Sequence, residues 1–195
     1  MAESAIKHRM TPEEFNVWEQ TQPDRHELVD GVPQLKFVEW DGPKMMVGAR
    51  EGHNDIVTNL LALLVKQLRD KNCRPYAADG KVRIPSGNYR YPDIAINCAP
   101  RNREATALTN PVAEIEVLSK STFWIDNTTK LRDYQSVPSI RYILLLAQDE
   151  VRGQIWQRGP EGWEMENLDG AETMVRFPAA DDVGFALGEA YEGLI

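Results

Sequence analysis

The chain has 195 residues, 42% hydrophobic and 27% charged, which suits a single domain with a true core. Its net charge of −8 argues against binding nucleic acid through bulk electrostatics. No apolar run reaches the roughly 18 residues of a membrane span, and the first ten residues lack the apolar core of a secretory signal, so a cytoplasmic setting is expected with no membrane partner.

Residues 1–9 are expected as a disordered leader, with one domain over 10–195. Thr11-Pro12-Glu13-Glu14 has the pattern of a capped helix start, and the helix is expected to run to about Glu19 with Phe15 and Trp18 facing inward. His26 to Leu35 is patterned as strand, Asp30-Gly31 turn, strand. Residues 39–48 have loop composition. From His53 to Arg69, apolar residues at Ile56, Val57, Leu60, Leu61, Leu63, Leu64, Val65 and Leu68 form a wide helical stripe. Cys73 and Cys98 lack metal-ligand spacing, and each is expected as a small buried thiol.

Lys81–Ile84 and Tyr89–Ile96 are expected as two strands joined by residues 85–88. Residues 99–110 form a polar loop or short helix leading to the strand Pro111–Ser119. A turn at 119–122 precedes a helix capped by Thr122 or Asp126 and running through Tyr134. Ile140–Ala147 is a buried strand, followed by strands near 151–157, 163–165 and 172–177 and a closing helix over 187–194. The order predicts one α/β domain: a mixed sheet flanked by helices, with a C-terminal antiparallel meander.

Strand 111–119 carries an anomaly. Side chains alternate along a strand, so Glu114 and Glu116 share a face, and glutamate is costly to bury unpaired. Asp93 sits on another strand, bracketed by apolar residues. If those strands are neighbours, Asp93 and Glu116 approach each other, and like charges held together invite a cation. Hard oxygen donors suit Mg²⁺ or Mn²⁺, which can activate water and polarise a phosphoryl oxygen. Lys130 on the following helix can supply an ammonium at the same place. Glu27 is either a further metal ligand or the residue that orients Lys130. Lys81, Arg83 and Arg90 are candidate contacts to a nucleic-acid backbone. The bland readings put His53 in a capping or packing role, Tyr134 in the core, Asp126 at a helix start and Glu114 in an auxiliary place. The tryptophans at 18, 40, 124, 156 and 163 form no stacking stripe.

These residues carry a resemblance. His26-Glu27-Leu28-Val29-Asp30-Gly31, His53, Arg90-Tyr91-Pro92-Asp93 and Ile115-Glu116-Val117-Leu118-Ser119 occur in order. Ser121-Thr122, then Asp126, Lys130 and Tyr134, and a Ser-Val-Pro-Ser run before Ile140 continue the series. Over roughly residues 10–190 the chain resembles the Uma-type family of restriction-endonuclease-like proteins, a branch of the PD-(D/E)XK nucleases. The resemblance implies a restriction-endonuclease-like fold and a site of Asp93, Glu116 and Lys130 with Glu27. It also implies DNA as substrate; a homodimer is expected separately, because cutting a duplex takes two cuts.

Two positions depart from that pattern. The simplest superfamily motif has lysine two residues after the acid, where this chain has Leu118. Lys130 is therefore taken as the migrated lysine, and Lys120 is a second candidate. Glu114 stands where such strands carry an apolar residue. A second class of function also fits: a catalytically inactive nuclease fold working as a binding or assembly module, which the acidic charge favours.

Overall fold

The structure, a computed structural model, describes residues 9–36, 51–118 and 127–194. The expected leader (apart from Arg9), the loop at 39–48, the turn and cap at 119–122, Lys120 and Asp126 lie outside the described residues.

Helix α1 (Pro12–Glu19) starts as its sequence dictates. Thr11 Oγ1 accepts the Glu14 N–H, and Glu14 Oε2 accepts the Thr11 N–H, closing a capping box. Strands β1 (His26–Val29) and β2 (Val32–Leu35) form a hairpin whose two turn residues, Asp30 and Gly31, both have positive φ. That is the backbone a two-residue hairpin with right-handed strand twist requires. Helix α2 (Glu51–Gln67) follows, burying Ile56, Leu60 and Leu64 as the stripe predicts, while Val65, counted in the same stripe, is 49% exposed on its outer side.

Strands β3 (Arg74–Ala77), β4 (Val82–Arg83), β5 (Tyr89–Arg90) and β6 (Ile94–Asn97) then lead to β7 (Pro111–Leu118). Helix α3 (Asn127–Ser136) connects β7 to β8 (Tyr142–Ala147). The chain closes with β9 (Arg152–Gly159), β10 (Gly162–Asp169), β11 (Met174–Phe177), β12 (Val183–Ala186) and a 3-10 turn at Leu187–Tyr191.

Six strands form the main sheet in the order β10-β9-β8-β7-β6-β3, antiparallel except for the parallel pair β7/β8 that α3 connects. The mixed sheet with flanking helices and the antiparallel β8-β9-β10 run match the expected architecture. A second sheet, β2-β1-β5-β4, stands beside it, and β11/β12 make a separate ribbon. One face of the main sheet buries Ile94, Ile96, Ile115 and Val117 against α2 and the C-terminal ribbon; the other packs Leu118, Ile143 and Leu145 against Tyr134 of α3. α1 seats Phe15 on Leu28 and Tyr89 of the small sheet.

Four local expectations need correction. The single strand over 89–96 is two strands in two sheets, broken around Pro92, whose nitrogen carries no hydrogen for a ladder. Strand β3 forms where the sequence signalled only a helix end, because β6 offers it a partner. The closing helix is a short 3-10 turn preceded by β12. Finally, Cys73 and Cys98 are not separate thiols but a disulfide, brought face to face by the pairing of their neighbours Arg74 and Asn97. Among the described residues, no helix is long and apolar enough to cross a membrane.

Candidate active site

The register between β6 and β7 pairs Ile94 with Ile115, so its continuation by one residue sets Asp93 opposite Glu116. The break at Pro92 therefore ends one sheet and delivers a carboxylate to the start of β6, an inner strand of the other. Asp93 Oδ2 accepts the Val117 N–H at 2.9 Å and lies 3.0 Å from His53 Nε2. Lys36 Nζ is 3.7 Å from its other oxygen, Oδ1. Glu116 Oε1 accepts the Tyr134 hydroxyl at 2.7 Å and has Lys130 Nζ at 3.4 Å. Lys130 Nζ is also 3.4 Å from Glu27 Oε1, so one ammonium bridges the hairpin and the central strand.

Helix α3 arranges this. Lys130, Asp133 and Tyr134 lie at i, i+3 and i+4, on one face. Asp133 Oδ2 accepts the Arg90 Nε–H at 2.7 Å, while Arg90 Nη1 donates to Glu27 Oε2 at 2.8 Å. Glu27 Oε1 also accepts the Tyr91 N–H at 3.1 Å. Glu27 is thereby engaged by Arg90, Tyr91 and Lys130, which is the arrangement of an orienting residue.

The electrostatics follow from burial and neighbours. Burial pushes the Glu116 carboxyl above its usual value against the pull of Lys130, and the charge of Asp93 adds to the rise. Burial acts the same way on Asp93, but the His53 hydrogen bond and the Lys36 charge outweigh it and hold its pKa down. Glu27 is likewise held below the usual range, burial being overcome by Lys130 and Arg90. Burial disfavours a charged His53, yet its bond to Asp93 raises its pKa. Lys130, a quarter exposed, is raised because Glu116 and Glu27 outweigh its desolvation.

The four residues Glu27, Asp93, Glu116 and Lys130 thus converge. His53, expected to cap or pack, instead contacts Asp93. Tyr134 is core as expected and also positions Glu116. Glu114 is fully buried with no hydrogen-bond partner on either oxygen among the described residues, and burial followed by the charge of Glu116 raises its pKa far above the ordinary value. Two expected backbone contacts are corrected. Lys81 is buried on Glu19 at 3.1 Å, and Arg90 is buried between Glu27 and Asp133, so neither presents its charge to solvent. Arg83 remains exposed, 3.6 Å from Glu13.

Lys36 and Asp133 went unrecognised in the sequence. The signal for Lys36 was a charge set in the apolar run Leu35-Lys36-Phe37-Val38; for Asp133 it was the i+3 spacing from Lys130. Among the described residues, no three His, Cys, Asp or Glu side chains form a metal-holding group. The pair Asp93/Glu116 still fits a small hard cation, since Mg²⁺ is commonly held by one or two carboxylates with water completing its shell.

Comparison with known proteins agrees with this architecture. Two uncharacterized proteins of Synechocystis sp. are each 29% identical to this chain. One, slr1290, aligns over 98% of this chain and 96% of its own length; the other, sll1609, over 68% and 77%. The solved structure of a "putative nuclease belonging to DUF820" from Anabaena variabilis superposes with a TM-score of 0.71 at 18% identity, covering 95% of this chain and 99% of that one, which establishes a shared fold. The family model described as "Uma2: Putative restriction endonuclease" matches residues 12–187, and the chain belongs to that family.

Proposed function

We propose that the protein is a divalent-metal-dependent endonuclease that hydrolyses phosphodiester bonds in DNA. The observation that carries this reading is the convergence of Asp93 and Glu116 from adjoining strands with Lys130 held between Glu116 and Glu27. Asp93 and Glu116 are the residues to hold Mg²⁺ or Mn²⁺, which when bound would supply Lewis acidity and a more acidic water. Lys130 directs N–H donors at Glu116 and Glu27, beside Asp93, where it can hold an attacking water or neutralise charge growing on the phosphate. Glu27, itself fixed by Arg90, holds Lys130 in that position. Tyr134 and His53 fix the rotamers of Glu116 and Asp93.

DNA as substrate rests on the family and on the site's suitability for phosphoryl chemistry. With a net charge of −8, attraction to the backbone has to be local, and Arg83 is an exposed cation available for it. A homodimer completes the proposal, because cutting both strands of a duplex takes two sites. Incubation of plasmid DNA with the protein should give cleavage in Mg²⁺ and none in EDTA, with activity lost in Glu116→Ala. Failure to cut any DNA or RNA form in Mg²⁺ or Mn²⁺ overturns the reading.

One observation favours the alternative of an inactive binding or assembly module. Glu27, Asp93 and Glu116 already face Lys130, Lys36 and Arg90, so the carboxylates are compensated from within the chain. A well-folded protein that neither cleaves nucleic acid nor takes up Mn²⁺ is the result this alternative requires.

A further inference from the structure

Lys36 lies outside every motif that carries the family resemblance, yet its side chain is only 2% exposed and its ammonium is inside the site. It is 3.7 Å from Asp93 Oδ1 and donates to the Pro92 carbonyl at 3.4 Å. The other Asp93 oxygen, Oδ2, is already taken by His53 and the Val117 N–H. Oδ1 is therefore the Asp93 oxygen turned towards a cation, and the cation it faces is Lys36. Burying an ammonium is unfavourable unless opposite charge compensates it. The compensation comes from the carboxylate pair: burial lowers the Lys36 pKa, while Asp93 and then Glu116 act against that fall.

We propose that Lys36 is a built-in counter-cation of the Asp93–Glu116 pair, which a divalent ion has to displace in order to bind. This rests on the metal reading given above. A metal–oxygen bond is about 2.1 Å long, so with Lys36 Nζ 3.7 Å from Oδ1 an ion bound to that oxygen would lie within about 6 Å of the ammonium, where two cations in a buried site repel strongly. The chain therefore stays electrostatically balanced without metal. Its affinity for the ion is lower than two carboxylates alone would give.

The test is calorimetric titration of Mn²⁺ into the full chain, comparing wild type with Lys36→Met and Lys36→Gln, each also carrying Asp93→Asn as a control. Lys36→Met keeps the apolar stem, and Lys36→Gln provides a polar variant should methionine disturb folding. The expected result is at least about ten-fold tighter Mn²⁺ binding in the Lys36 variants, abolished by Asp93→Asn. Binding by the variants but not by wild type is the extreme form of the same result. Melting curves supply a second readout: added Mn²⁺ should raise Tm further in the variants than in wild type. Equal or weaker binding in both variants, with wild-type binding intact, overturns the counter-cation role and leaves the metal reading standing. No Mn²⁺ binding by any of the three folded proteins overturns the metal reading itself.

Discussion

The molecule contains two buried clusters made from the same kinds of residue. In the first, beneath α1, Tyr91 donates its hydroxyl to Glu19, with oxygens at 2.6 and 2.7 Å. There Lys81 Nζ lies 3.1 Å from Glu19 and 2.6 Å from Asn16 Oδ1, and 4.9 Å above the Tyr89 ring. In the second, Tyr134 donates to Glu116 and Lys130 stands 3.4 Å from two glutamates. The difference lies in slack. The first cluster matches one carboxylate to one ammonium through short bonds, and it closes. The second assembles Glu27, Asp93 and Glu116 with lysines at 3.4 to 3.7 Å, and its central carboxyl is held above its ordinary pKa. A cluster closed by short bonds holds structure together, whereas one whose lysines stand off from its carboxylates can exchange them for a ligand.

Mutations can break this contrast. The largest effect is expected for Glu116→Gln, which should reduce DNA cleavage by about a thousand-fold or more while a melting curve stays close to wild type. Lys81→Met tests the other cluster: it leaves Glu19 buried with its cation gone, and denaturant titration should show a loss of about 3 kcal/mol, with cleavage per folded molecule unchanged. A nuclease defect in folded Lys81→Met would show that the two clusters are not separate. Lys130→Met should lower kcat by about a hundred-fold in single-turnover assays, a smaller loss than Glu116→Gln because an ammonium is easier to replace than a metal ligand.

The smallest effect sharpens the contrast from within one strand. Glu114 and Glu116 are two residues apart on the same face of β7, yet Glu114 has no hydrogen-bond partner among the described residues, while Glu116 has Tyr134 and Lys130. Its raised pKa has a defined consequence. Above the ordinary value of 4.5 the unfolded chain ionises at this position while the folded chain keeps the proton, so stability falls as pH rises from there. Glu114→Met should therefore stabilise the protein by about 1 kcal/mol at neutral pH. The gain should shrink as pH falls through 4.5, below which both states of the wild type retain the proton. Unchanged melting at every pH would mean that Glu114 has found a partner.

The convergence of the candidate site's residues was legible because the motifs occur in order along the chain. Asp93, Glu116, Lys130 and Glu27 were all identifiable from position and chemistry, as were α2, the β1/β2 hairpin and the strands β7 and β8. Lys36 was not, because one charge at a strand end reads as a surface residue until the fold buries it. Lys81 and Arg90 erred in the opposite direction. Both are basic residues in strand-like segments, a pattern that suits a solvent-facing edge, and only the packing of α1 and α3 over them turns them into buried partners of Glu19, Glu27 and Asp133.

What the sequence by itself determined was local: the capping box at Thr11, the Asp30-Gly31 turn, the apolar stripe of α2 and the alternation that sets Glu114 and Glu116 on one face. Each depends on residues within a few positions of one another, where periodicity and backbone preference act directly. The tertiary structure decided the rest. It split 89–96 between two sheets, joined Cys73 to Cys98, set Asp93 opposite Glu116 and placed Lys36 against Asp93. These are contacts between segments far apart in the chain. Their register is chosen by the burial of whole faces against one another, a quantity no single stretch of sequence contains.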